Sequence, residues 1–159
     1  AGGSFHGLDC PAWVQPLHRA HERCEAPAAT IQAMERATRQ RAAIRTAVDA
    51  AARPLLAHEV LLLAQQQVPG LGLATVYRNL KSLVENAELQ VVQLPGENPR
   101  YERAGRHHHH HFQCRSCQRV FDVHACPGNL ARMAPEGFSV EDHELTLYGR
   151  CADCRPAAA

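Results

Sequence analysis

Five consecutive histidines, His107 to His111, stand just upstream of the pair Cys114-x-x-Cys117, and a second pair, Cys151-x-x-Cys154, lies near the end of the chain. Thiolates and imidazoles are borderline-soft ligands, and two C-x-x-C knuckles together present the four thiolates that suit a closed, tetrahedral structural zinc. The 33 residues between the pairs are more than a compact zinc ribbon uses, so a small sheet domain should lie between them, pinned at both ends. A redox pair and buried free thiols are the competing readings. Redox C-x-x-C motifs normally occur singly and open a helix in a βαβ setting, which this segment does not resemble.

The histidines gain meaning once they are placed on a strand. Successive side chains of a strand point to opposite faces, so His107, His109 and His111 face one way and His108 and His110 the other. One strand can then feed two separate metal sites, with Glu102 upstream and His143 downstream as natural partners. His124 and Cys126, in the run Asp122-Val-His-Ala-Cys-Pro, are further candidates. An expression tag sits at a terminus, whereas this run is internal. A solvated, weakly chelating edge strand is the bland alternative. Cys10 and Cys24 read as incidental, as do His6, His18 and His21.

Other elements must position these groups. A short helix is expected over Pro11 to Cys24, and Thr30 is a plausible cap for an Ala-rich helix reaching Thr38. Apolar residues recur at helical spacing from Thr38 to Ala52 and again from Leu55 to Val68, where Pro69-Gly70 breaks the pattern. A third helix is expected over Ala74 to Asn86, with Val76, Leu80, Leu83 and Val84 as its apolar stripe. Three short helices with a tight turn before the last read as helix-turn-helix. Leu89–Leu94 and Arg100–Glu102 flank a Pro95-to-Pro99 loop and read as a hairpin, which makes the unit a winged helix. Beyond it, strands are expected over His107–Cys114, Arg119–Val123 and Phe138–Tyr148 (the last with room for a break), with a short helix over Asn129–Met133. The fold class is therefore α+β: an N-terminal winged-helix domain followed by a small C-terminal α/β domain. The divisions fall at 1–27 (extension), 28–104 and 105–159.

Net charge is only +1, but it is unevenly spread. Residues 36–86 hold seven Lys/Arg against three acids, a local +4 that leaves −3 elsewhere. A basic helical module beside an acidic, His/Cys-rich one fits double-stranded DNA binding in the first and metal binding in the second. Thr75, Tyr77 and Arg78 sit at the start of the third helix, where a recognition helix meets base edges; a core role for Tyr77 is the alternative. Seven cysteines without a signal-like leader point to a reducing compartment, the cytoplasm. No apolar stretch reaches the roughly 18 residues that a membrane helix needs.

Together these residues resemble the ferric uptake regulator family of metal-dependent repressors. The matching text is Gly72-Leu-Ala-Thr-Val-Tyr-Arg-Asn-Leu, Arg100-Tyr-Glu, His107 to His111, Cys114-Arg-Ser-Cys117, Gly137-Phe, His143, and Leu147-Tyr-Gly-Arg-Cys151-Ala-Asp-Cys154. The likeness runs in order over about residues 38–154 and is highly specific, while residues 1–37 exceed the family's usual lead-in. It implies a homodimer of a DNA-binding winged helix and an α/β dimerisation domain, acting on a palindromic operator. It also implies a structural zinc on Cys114, Cys117, Cys151 and Cys154. A sensing site at the hinge would use Glu102, His109 and His111, and a dimerisation-domain site would use His108, His110 and His143.

The chain departs from the family pattern twice. The histidine that usually completes the hinge site is replaced by Pro54, with His58 a helical turn further on. The acidic ligand expected after Cys117 is missing from a shortened His124-Ala-Cys-Pro-Gly-Asn stretch, so Cys126 or His124 stands in its place. A thiolate there favours zinc over iron(II) as the sensed metal, and a peroxide sensor is disfavoured because no Asp other than Asp122 could join the hinge. The expectation is a zinc-responsive repressor of metal-uptake genes, with an iron-responsive regulator as alternative. A zinc hydrolase or redox enzyme lacks an H-E-x-x-H or H-x-E…P-C-x-x-C signature and would leave the basic half unexplained; a metal-storage protein with a vestigial DNA-binding half is told apart by Arg78→Ala, which costs operator binding only in a repressor.

Overall fold

The computed structural model describes residues 28–155. The expected Pro11–Cys24 helix, Cys10, Cys24 and the first three histidines lie outside those residues.

Helix α1 runs unbroken from Ala28 to Ala51. Two helices meeting at Thr38 were expected. Instead Thr38 Oγ1 donates to the Met34 carbonyl at 2.9 Å, so the residue satisfies its hydroxyl inside the helix rather than ending it. Thr30, expected as a cap, lies within the helix as well. Only the second half of α1 is packed: Ala43, Ile44, Ala47 and Val48 are buried, spaced three and four apart.

The segment expected as one helix from Leu55 to Val68 divides into strand β1 (Leu55–Leu56) and helix α2 (Ala57–Ala64). Leu55 and Leu56 pair with Tyr101 and Arg100, and the Glu59 carboxylate accepts the Leu56 N–H at 2.8 Å at the start of α2. Helix α3 (Leu73–Glu85) buries Val76, Leu80 and Leu83, the expected stripe. Strands β2 (Leu89–Val92) and β3 (Arg100–Arg103) form the wing, and β1 makes it a three-stranded antiparallel sheet in the order β1-β3-β2. Thirteen buried side chains from α1, α2, α3, β1, β2 and the turn before α3 form one apolar core.

Strands β4 (His110–Cys114), β5 (Val120–Val123) and β6 (Thr146–Gly149) form a second sheet, ordered β5-β4-β6. β4 pairs antiparallel with β5 and parallel with β6. The strand expected from His107 starts three residues later, and of the one expected over Phe138–Tyr148 only Thr146–Tyr148 pairs, extended to Gly149, with Phe138 left 71% exposed. The expected helix over Asn129–Met133 is a single 3-10 turn, Ala131–Met133. Pro127, Gly128, Pro135 and Gly137 punctuate this stretch too densely for regular structure. The apolar core here is small: Val120 packs with Val92 and Leu94 from the wing. Among the described residues, no helix is long and apolar enough to cross a membrane.

Candidate metal centres

Among the described residues, three groups of ligand-type side chains each converge within 4.8 Å. The first is Cys114, Cys117, Cys151 and Cys154, all free thiols. The knuckle after Cys114 closes through the Gln118 N–H donating to the Cys114 carbonyl at 2.8 Å, with Gln118 at φ +59°, and a 3-10 turn (Ala152–Cys154) shapes the second pair. The backbone N–H of Cys151 points at Cys114 Sγ at 3.3 Å, and such N–H donors pull the Cys114 thiol down to about 6. Arg119 donates Nε to Cys117 Sγ at 3.3 Å, and that contact lowers the Cys117 thiol too. Thiols of Cys151 and Cys117 beside Cys154 push it up to about 12. Cys117 Sγ and Cys151 Sγ are 3.8 Å apart. Two sulfurs on one tetrahedral zinc at about 2.3 Å would stand about 3.8 Å apart. The donor set and its spacing fit zinc.

The second group is His108, His110, Cys126 and His143. His108 Nε2 and His110 Nε2 are 3.2 Å apart, and Cys126 Sγ lies 3.3 Å from His143 Nε2. Burial, followed by the neighbouring imidazoles of His108 and His143, holds the buried His110 ring below its ordinary value and hence neutral, the form that ligates. Its Nδ1 is buried without a partner.

The third group is Glu102, His109, His111 and Asp122. Glu102, on β3, accepts from the Gln90 amide at 2.6 Å through Oε1. Its other oxygen, Oε2, faces His109 Nε2 at 3.3 Å and His111 Nε2 at 3.8 Å. Burial raises the Glu102 carboxyl, but the contacts to His111, Gln90 and His109 outweigh it and leave the group below the usual carboxylate value. His109 Nε2 is 4.0 Å from Asp122 Oδ1. The buried atoms His111 Nε2 and Asp122 Oδ1 make no hydrogen bond, and Asp122 Oδ2 has only the Arg106 guanidinium beside it, 2.5 Å from NH1. Buried lone pairs left without a donor are costly, and a divalent cation among them would satisfy them. This donor set also fits a metal.

The alternation expected along the histidine run holds for four of the five. His109 and His111 go to one group and His108 and His110 to the other, although regular pairing begins only at His110; His107 is exposed and in neither. Asp122, the one Asp that the sequence left open for the hinge, does join the third group. It is carried there by β5, where it pairs directly with His111. Of the replacement candidates, Cys126 joins the second group. His124 lies outside both, its ring 6.3 Å from His109, and His58 is exposed on α2.

On α3, Tyr77 is half exposed and Arg78 exposed, opposite the buried stripe, and Arg78 donates to Thr75 Oγ1 at 3.1 Å. Tyr77 therefore has no core role.

The model of the ferric uptake regulator family matches residues 32–148. The chain belongs to that family. Among family relatives, the zinc uptake regulation protein of Mycobacterium tuberculosis is 35% identical over 123 residues, covering 76% of this chain and 95% of the relative. The ferric uptake regulation protein of Bacillus subtilis is 32% identical over 109 residues, covering 63% and 71%. Of solved structures, a zinc-bound manganese uptake regulator superposes with a TM-score of 0.62 at 23% identity, covering 70% of this chain and 87% of that one. The Helicobacter pylori ferric uptake regulator does so at 0.58 and 18% identity, covering 84% and 97%. These structural likenesses establish the shared α+β fold.

Proposed function

We propose that the chain is a zinc-responsive transcriptional repressor of metal-uptake genes. In this reading residues 28–104 bind DNA, residues 105–159 bind metal and dimerise, and 1–27 are an extension. The observation that carries it is the third group: Glu102 belongs to the wing sheet, whereas His109, His111 and Asp122 come from β4, its lead-in and β5. One ligand set thus spans both modules. The 35% identity to a zinc uptake regulation protein supports zinc as the metal.

Bound zinc supplies one positive centre for these four side chains to share. Glu102 then ties β3 to the second sheet, and the wing and α3 take a defined orientation with it. In a homodimer this sets two α3 helices at the spacing of successive major-groove turns in a palindromic operator. Thr75, Tyr77 and Arg78 present their polar ends to base edges and phosphates there. Cys114, Cys117, Cys151 and Cys154 hold a structural zinc that pins both ends of the second sheet. His108, His110, Cys126 and His143 hold a further metal on its opposite face.

Electrophoretic or fluorescence titration of operator DNA in buffered zinc, iron(II) and manganese, with metal counted per chain, tests the reading. Zinc should raise affinity by about 1–3 kcal/mol of coupling, and Arg78→Ala should abolish operator binding without changing metal content. Full affinity after chelation would overturn it. The two carboxylates of the hinge set make it harder than a thiolate site; iron(II) acting at lower free concentration than zinc would favour an iron-responsive regulator instead.

A further inference from the structure

The hinge group contains two acids that are almost wholly enclosed, the side chains of Glu102 and Asp122 being 2% and 4% exposed. Two buried carboxylates facing one space need a compensating cation, or one of them must take up a proton. A cation is already present. Arg106, in the segment joining β3 to β4 and directly after Gly105 at φ +71°, brings its NH1 to 2.5 Å from Asp122 Oδ2 and 3.5 Å from Glu102 Oε2. The contact to Asp122 is one of charge rather than an aligned hydrogen bond. A guanidinium cannot give up its charge in a protein, so Arg106 answers both acids at once.

The position of that charge matters. Gln90 occupies Glu102 Oε1, which leaves Oε2 as the oxygen free to ligate, and Oε2 is the atom shared by His109, His111 and Arg106. A divalent cation on Oε2 and a guanidinium 3.5 Å from it would repel each other in a poorly screened site. Arg106 has somewhere to go. Its side chain is 24% exposed and lines an open cleft of about 340 Å³ whose rim also carries Asp142 and Glu144.

We propose that Arg106 is a built-in competitor for the hinge metal, a stand-in cation that neutralises Glu102 and Asp122 in the metal-free protein and must leave when a divalent cation binds. It raises the free metal concentration needed to fill the site. Its departure also releases a contact that holds the β3–β4 connection to β5, so occupancy and linker position change together. This inference rests on the hinge group being a metal site.

The test uses full-length protein with the four-cysteine site loaded and the hinge emptied by a weak chelator. Zinc affinity is measured by competition with a buffered indicator, and thermal midpoints are taken with and without added zinc. Arg106→Ala should bind hinge zinc roughly fivefold tighter or more, with Arg106→Lys between it and the parent. The same Ala variant should melt earlier than the parent when the hinge is empty and at the same temperature when zinc fills it. Unchanged or weaker zinc binding, or an equal loss of midpoint in both states, would overturn the proposal. His111→Ala separates the two levels of argument. If that change leaves zinc stoichiometry intact, the hinge reading falls and the inference with it. Should it remove one zinc per chain while Arg106→Ala fails to tighten binding, only the inference falls.

Discussion

The two sheets of this molecule are stabilised by different means. Around the wing, thirteen buried apolar side chains from three helices, two strands and the turn before α3 close one continuous core. Around β4, apolar burial amounts to Val120 with two wing residues, and the interior positions otherwise carry Cys114, His110 and Gln113. The first module can be held by burial at about 25 cal/mol per Å² of apolar surface. The second buries too little apolar surface for that, and in the proposed reading its ligand clusters supply the rest, as metal sites do in other small domains.

Three changes would break or sharpen that contrast. The largest effect is expected from Cys117→Ser, which removes one of four thiolates. Structural zinc in small domains contributes on the order of 10 kcal/mol, so the second sheet should lose cooperative folding. Hydrogen exchange resolved by segment would show β4–β6 unprotected and α1–α3 still protected. Retained protection in β4 would mean that the cysteines are dispensable and the contrast wrong.

Next in size is Leu80→Ala in the core of the first module, expected to cost about 2–5 kcal/mol. Denaturant unfolding should report the loss while zinc per chain stays at the parent value. A fall in metal content would show that the two modules do not hold themselves together independently.

The smallest effect is one of pH, at the border between the modules. Glu59 is paired with Arg53 at 2.7 Å and faces the buried Arg100 at 3.7 Å. Arg100 in turn donates to the Gln118 carbonyl of the first cysteine knuckle at 2.7 Å. Burial raises the Glu59 carboxyl, but the Arg53 contact, the Leu56 N–H and the charges of both arginines leave it below its ordinary value. A depressed folded-state value means stability that is present above the unfolded value of 4.5 and lost as pH falls through the lower folded one. Glu59→Gln should therefore be less stable than the parent at neutral pH, and the gap should close on acidification below pH 4.5. Parallel pH–stability curves would remove Glu59 from this account.

Legibility in the sequence followed the same divide. Helix α3, its Val76-Leu80-Leu83 stripe and the two strands of the wing were readable because apolar periodicity encodes a face directly. The diversion of Leu55–Leu56 into β1 was not, because it was decided by β3, far along the chain; the merger into α1 turned on Thr38, whose hydroxyl can either cap a new helix or bond back to the Met34 carbonyl one turn earlier, and local pattern does not choose between them. In the second sheet, local pattern overstated regular structure. The helix expected over Asn129–Met133 lies between Pro127-Gly128 and Pro135, which leave room for one 3-10 turn, and of the strand expected over Phe138–Tyr148 only the end pairs, as β6.

The sequence by itself determined the ligand types, the two cysteine knuckles and the partition of His108 to His111 between two faces. Those depend on covalent order and on the two-residue period of an extended chain, which any strand shares. Tertiary structure alone decided that Asp122 completes the hinge group, that Cys126 joins His108, His110 and His143 while His124 does not, and that Arg106 lies against the two buried acids. Those memberships follow from the register of β4 on β5 and from the path of irregular segments. Distances of a few ångströms across a sheet or a linker have no local period from which to be read.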